Sequence, residues 1–223
     1  MPRGSEEAIL ILEPGPGSRL TSPLHVAGVS NPTFEQTLVV RIVLDEGTEL
    51  AIQPVIIAAD IGHRGAFEVD IPFTVSGEHN ALVQVLDRSA RDGGIIHLAS
   101  VGVTLAATGS NDVLPGAYHP ETIVIYQPEL GDTVAGGIAY VEGFGLASFE
   151  QTLILEIHDA EGNVVGSLPI MVNAADWGLP GPFNADIPYD VAGEGPGRVV
   201  VIDPLPVFDG VGHISSVEVT LAP

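Results

Sequence analysis

Seven histidines (His25, His63, His79, His97, His119, His158 and His213) are the residues whose type best suits metal binding or proton transfer near neutral pH. None lies in an HExxH pattern, and no two are spaced as a close zinc-binding pair. His97 and His213 hold equivalent places in a sequence repeat described below, which favours packing or strand pairing over metal ligation. Asp87 and Asp92 in "DRSARDG", and Asp203 and Asp209 in the corresponding "DPLPVFDG", gather carboxylates in loops. Such loops are candidate Ca²⁺ sites, and Ca²⁺ takes about six to eight oxygens. Two carboxylates per loop fall short without carbonyls or water. The plainer reading is that each Asp bonds its own turn backbone.

Other chemistry is thinner. Asp45 and Glu46 flank Gly47, and Asp159 and Glu161 flank Gly162, as acids in hairpin turns do. A glycosidase needs two such acids converging in a cleft. No G-x-S-x-G elbow supports serine hydrolysis. "EGPGR" at Glu194–Arg198 opens no helix, so it is no phosphate loop. Cysteine is absent, which removes disulfides and thiol chemistry. Trp177, the one tryptophan, is a candidate ligand contact. Exposed, it could stack on a sugar ring; buried, it would cap its loop, and burial is the expectation.

Charge narrows the partners. The chain carries 29 acids against 7 bases, all arginine, for a net charge of −22 over 223 residues. Nucleic acids and anionic lipid surfaces require a basic face, so neither is an expected partner. Residues 8–106 hold 11 acids and 5 arginines, net −6; residues 122–222 hold 14 acids and only Arg198, net −13. The second half is therefore the better place for a cation or a basic partner, with a solubilising surface as the simpler account. Hydrophobic content is 45%, enough for a core, yet no apolar run reaches the length of a membrane span. "MPRGSEEAIL" has no apolar signal core, which leaves a cytosolic protein or one whose targeting segment has been removed.

The elements that must position these residues are written twice. "FEQTL" stands at Phe34–Leu38 and again at Phe149–Leu153, an offset of 115. Gly28 and Gly143, and Gly47 and Gly162, keep the same spacing. "AAD" (Ala58–Asp60, Ala174–Asp176) and "DIP" (Asp70–Pro72, Asp186–Pro188) recur at 116, and "VTLA" closes each copy. The order and spacing define two tandem copies, 8–106 and 122–222, joined by the Gly/Pro-rich linker 107–121. Each copy is long enough to fold alone.

Within a copy, apolar residues alternate. Leu38, Val40, Ile42 and Leu44 face one way while Val39, Arg41 and Val43 face the other. That period of two predicts strands with one face in a core. Strands are expected near 8–12, 23–29, 37–45, 49–57, 65–74, 81–87 and 95–105, with no convincing helix. Seven short strands and regular turns predict an all-β fold of two tandem immunoglobulin-like β-sandwich domains, without the Cys pair of antibody domains. Phe34 and Phe149 are expected to anchor their loops by plugging one end of each sandwich. Glu35 and Glu150 are expected to cap nearby loop amides.

"ILEPGPGSRLTSPLHVAG" at Ile11–Gly28, the "FE-x-T-L" strand entry, "G-x-F" before a strand (Gly65–Phe67, Gly181–Phe183) and the "D-x-S-x-x-D-G" turn together resemble the bacterial immunoglobulin-like domain associated with spore germination proteins of the GerMN type. The resemblance spans nearly the whole chain, once per repeat. The second copy departs from it: "PELGDTVAGGI" lacks the Ser-Pro and "DPLPVFDG" lacks the Ser. The resemblance implies a non-enzymatic accessory module of the cell envelope, outside the cytoplasmic membrane, with its signal or lipid anchor absent from this sequence. It implies a binding or spacer role toward a protein or cell-wall component, without a required cofactor. The accompanying GerMN domain is absent, which sets a direct germination role aside. The alternatives are a carbohydrate- or peptidoglycan-binding module and a small hydrolase.

Overall fold

A computed structural model describes residues 6–205 and 210–223. They form two compact units: residues 6–88, 97–121 and 210 in the first, and residues 89–96, 122–205 and 211–223 in the second.

The first unit begins with β1 (Ile9–Glu13), β2 (Arg19–Leu20) and β3 (Leu24–Ser30), then a 3₁₀ turn over Phe34–Gln36. β4 (Thr37–Leu44), β5 (Glu49–Ile56), β6 (Gly65–Ile71), β7 (Glu78–Arg88) and β8 (Ile95–Ala106) follow. All seven strands expected in this copy are present, each within a few residues of its expected bounds. β1, β3 and β6 make one antiparallel sheet. The order β8–β7–β4–β5 makes the other, with β2 lying parallel along β8. β4 shows the one-sided pattern that lets two sheets pack: Leu38, Val40 and Ile42 are fully buried while Val39 and Arg41 keep partial exposure. The buried faces of both sheets share one core that includes Val26, Val40, Phe67, Val83, Val85 and Leu105.

The second unit repeats the plan. β9 (Ile123–Gln127), β11 (Ile138–Gly145) and β14 (Gly181–Pro188) form the small sheet. β12 (Thr152–His158), β13 (Val164–Met171), β15 (Gly195–Leu205) and β16 (Gly210–Leu221) form the larger one, in the order β13–β12–β15–β16. The two-residue β10 (Thr133–Val134) runs parallel to β16, as β2 does to β8. Its core is separate and centres on Leu155, Phe183, Val199 and Val201.

One contact recurs in both cores. Gly28 on β3 faces Phe67 on β6, and Gly143 on β11 faces Phe183 on β14. A Cβ at Gly28 would lie 2.6 Å from the Phe67 ring and 2.2 Å from the Leu10 carbonyl oxygen. At Gly143 the corresponding distances are 2.3 Å to the Phe183 ring and 2.3 Å to the Val124 carbonyl oxygen. Glycine is required because a ring and a backbone oxygen already occupy the space of a side chain.

Residues 107–121 run along the first unit. The Gly15 amide donates to the Leu114 carbonyl at 2.7 Å, and the Gly116 amide to the Leu12 carbonyl at 2.8 Å. Arg19 and Asp112 exchange backbone hydrogen bonds at 2.8 and 2.9 Å.

In the second unit Arg198 is buried completely, with its Nη2 3.3 Å from the Asp92 carboxylate and 3.4 Å from Glu218. Its Nε and Nη1 have no hydrogen-bond partner. Burial alone would raise the Asp92 carboxyl, but the Gly94 amide, the Arg91 and Arg198 guanidiniums and Ser89 outweigh it and hold the group at about 2. The pair is a structural liability when broken, because a buried guanidinium without its counter-charge is costly.

Two outcomes follow for stability. Gly143→Ala should cost about 3 kcal/mol in denaturant unfolding, since neither the Phe183 ring nor the Val124 backbone can yield freely. Asp92→Asn should cost about 3 kcal/mol at neutral pH. Because the Asp92 carboxyl is depressed from 3.8 to about 2, its stabilisation is complete above the unfolded value and is lost as pH falls through the folded one. Acid titration of unfolding free energy should therefore show a loss in that window that Asp92→Asn lacks.

Candidate functional site

The repeated FEQTL segment builds the loop end of each unit. Glu35 and Gln36 both take left-handed backbone, with φ of 54° and 53°, and Glu150 and Gln151 repeat this at 48° and 54°. Each such residue costs about 1–2 kcal/mol when it carries a side chain. The Gln36 side chain supplies the compensation. It is buried, and its Nε2 donates toward the carbonyls of His63 at 3.0 Å, Asp60 at 3.1 Å and Ala59 at 3.4 Å. Gln151 reaches the Asp176 carbonyl at 3.2 Å in the same way. The amide of each Gln thus ties the strand-entry turn to the loop that carries the repeated "AAD". This explains why the two motifs recur together. The capping group is the glutamine, acting as a donor; Glu35 and Glu150, expected to fill that role as acceptors, point into solvent.

The turn displays its aromatic residue. Phe34 is 65% exposed and Phe149 is 41% exposed, so neither plugs its sandwich as expected. Trp177 is 71% exposed, which overturns the expected burial. The reason is geometric. Two consecutive left-handed residues reverse the chain and carry the side chain before them outward. Trp177 follows Asp176, whose carboxylate accepts the Trp177 amide at 2.8 Å and whose carbonyl accepts from Gln151. Phe149, Trp177 and Leu179 are therefore held on two loops that are clamped together in the second unit, with Leu179 also 48% exposed. The first unit places Phe34 and Ile61 on the corresponding loops, Ile61 at 84% exposure.

The loop carboxylates have other occupations. Asp92 serves Arg91, Arg198 and the Gly94 amide. Asp203 is buried and accepts both the Ser148 amide, at 2.8 Å, and the Ser148 hydroxyl. Burial raises its carboxyl above the usual range, opposed by the two Ser148 bonds and by His213. The Ser148 hydroxyl thus faces a carboxylate, whereas a hydrolytic serine faces an imidazole. Asp87 is half-buried at the end of β7 in the first unit, while Asp92 counts with the second. Asp209 lies outside the described residues. Asp159 accepts the Glu161 and Asn163 amides and the Asn163 side chain, and these bonds hold it below the usual carboxylate range. It borders a cleft of about 370 Å³ whose wall also carries Glu161, Asp190 and Glu194.

A cluster that sequence spacing did not indicate lies in the first unit. Glu7, just before β1, has its side chain fully buried and its Oε1 2.9 Å from His97 Nε2 on β8. Glu121 Oε1 is 3.6 Å from the same nitrogen, and its Oε2 accepts the Ala8 amide at 2.8 Å. His119 Nδ1 stands 3.6 Å from Glu7 Oε2. An antiparallel bridge between Glu6 and Pro120 brings these segments together. Residues 7, 97 and 121 are too far apart in the chain for any motif to join them. The burial of Glu7 beside the first apolar strand shows only in the structure.

Comparison with known families places these features in context. The family model described as the immunoglobulin-like domain of bacterial spore germination matches residues 8–94 and again 122–205. No curated protein matches the chain. Among solved structures, dimeric latent PorU from Porphyromonas gingivalis aligns at 13% identity and a TM-score of 0.28, over 98% of this chain and 24% of that one. Bovine butyrophilin aligns at 15% and 0.28, over 96% of this chain and 98% of its own. Red sea bream transglutaminase aligns at 9% and 0.31, over 97% and 31%. The chain thus spans about a quarter of PorU and about a third of the transglutaminase. Among the described residues no helix is long and apolar enough to cross a membrane.

Gln36→Ala should release the 58–63 loop. The expected result is a loss of about 2 kcal/mol in stability, from bonds worth roughly 0.5–1.5 kcal/mol each. Backbone amide exchange should quicken at residues 57–66 and stay unchanged in β7, as mass spectrometry of peptides from both regions would show.

Proposed function

Because the chain belongs to the immunoglobulin-like domain family of bacterial spore germination, in two tandem copies, we propose that it is a non-enzymatic accessory protein of the cell envelope that binds a cell-wall glycan through its clamped loop ends. The observation that carries this reading is the exposure of Trp177 and Phe149 on loops whose conformation is held by Gln151. An aromatic side chain in water loses the stabilisation of burial, about 1.5–3 kcal/mol for a ring of this size. Holding it out on two strained residues costs more again. Folding alone gives no reason for this arrangement in both units; a partner that covers the rings does.

The chemistry favours a neutral, ring-bearing partner. Indole and phenyl faces stack on the apolar face of a sugar, while the neighbouring Asp176 and Glu150 carboxylates accept its hydroxyl protons. With net charge −22 the protein repels polyanions, so recognition rests on stacking and hydrogen bonding rather than on charge. A Ca²⁺ ion in the Asp87/Asp92 or Asp203/Asp209 loops is not needed for this contact. The extracytoplasmic location belongs to the same proposal. A spacer or protein-docking pair is the competing account, favoured by the presence of two similar modules.

Co-sedimentation with insoluble peptidoglycan separates them. Wild-type protein should pellet saturably, with and without a Ca²⁺ chelator. Trp177→Ala should weaken binding at least about tenfold, the loss of one central aromatic contact, without moving the unfolding transition. No pelleting, or pelleting indifferent to Trp177→Ala and Phe149→Ala together, would refute the glycan reading and leave docking to a protein.

A further inference from the structure

In the first unit the side chains of Glu7, His97 and Glu121 converge on one buried place. The Glu7 side chain has 0% exposure, Glu121 9% and His97 10%. Two carboxylates in so dry a place repel each other, and a divalent cation held between them would relieve that repulsion. Charge-neutral packing would have been cheaper at all three positions. Glu7, His97 and Glu121 come from three separate segments and direct their donor atoms at one point.

We infer that this cluster is a binding site for a divalent transition ion of the zinc class. The ligand atoms of Glu7, His97 and Glu121 all lie within 4.8 Å of one another, with His97 Nε2 at 2.9 Å from Glu7 and 3.6 Å from Glu121. Ligands held tetrahedrally at about 2.1 Å from zinc stand roughly 3.4 Å apart, so only small side-chain shifts separate this arrangement from a closed site. One imidazole nitrogen with carboxylate oxygens is a borderline donor set. It suits zinc and its neighbours better than Ca²⁺, which wants more oxygens and no imidazole. The ion's two positive charges would balance both buried carboxylates.

The surroundings are those of a built site. The Ala8 amide takes Glu121 Oε2 at 2.8 Å and leaves Oε1 turned to His97, an orienting bond of the kind metal carboxylates receive. His119 Nδ1 contacts the Pro120 carbonyl at 2.9 Å and approaches Glu7 at 3.6 Å. His119 is half-exposed, so it stands at the solvent side of the buried carboxylates. Filling the site would pin the lead-in to β1, the start of β8 and the end of the 107–121 segment to one another.

The test uses the full chain, stripped with chelator and dialysed against ZnCl₂ at micromolar free ion, with CaCl₂ in a parallel arm. About one zinc per chain should be retained, and the melting temperature should rise and fall back on re-chelation; Ca²⁺ should do neither. Glu7→Gln and His97→Gln should each weaken retention at least tenfold. Glu121→Gln keeps an oxygen for the Ala8 amide and so preserves the fold, and it should weaken retention as well; circular dichroism would confirm its folding. Absence of zinc retention, or retention unchanged in folded Glu121→Gln, would overturn the assignment and reduce the cluster to an ion pair.

Discussion

Each unit closes over one aromatic ring laid on a glycine. Phe67 on Gly28 and Phe183 on Gly143 set the close approach of β3 to β6 in the first unit and of β11 to β14 in the second. The missing Cβ lets the ring lie on one side of the glycine and a backbone oxygen of the edge strand close the other. The remaining strands need only present Val, Ile and Leu at period two. The loops at the sandwich end leave Phe34, Phe149 and Trp177 outside both cores, free to vary.

That freedom is used by the FEQ turn. Ordinary loop physics would place Phe34 and Phe149 inward, as the sequence reading assumed. The left-handed pair Glu35–Gln36 and its counterpart Glu150–Gln151 reverse that direction, and a single side-chain amide stabilises the reversal. Strain of this kind persists where the surroundings over-determine it, and Gln36 has three carbonyls around its amide. The second unit keeps the turn but replaces Ile61 with Trp177, which changes the surface while leaving the scaffold alone.

The strands were readable from local signals, period-two alternation and glycine turns such as Gly47 and Gly162 at positive φ, and the duplication from offsets that stay at 115 to 116. The turn at FEQTL was visible as a repeat but not as a conformation, since nothing in five residues reports a left-handed pair. Trp177 was expected inside, but its loop turns it to solvent, a direction that residue type alone does not report. The Glu7–His97–Glu121 cluster was hidden for a simpler reason. Its members are brought together by β8 and by a backbone bridge at Pro120, and no spacing rule connects residues so distant in sequence. His97 drew notice only through its counterpart in the second copy.

The burial of Arg198 reaches beyond the interior it helps to fill. It is the sole basic residue between 122 and 222, and with its side chain wholly enclosed, that copy offers solvent no arginine or lysine at all. Fourteen acids share the same stretch of sequence. Two molecules that approached each other through this stretch would meet with like charge. That repulsion would be strongest in dilute salt and would weaken as counterions accumulate.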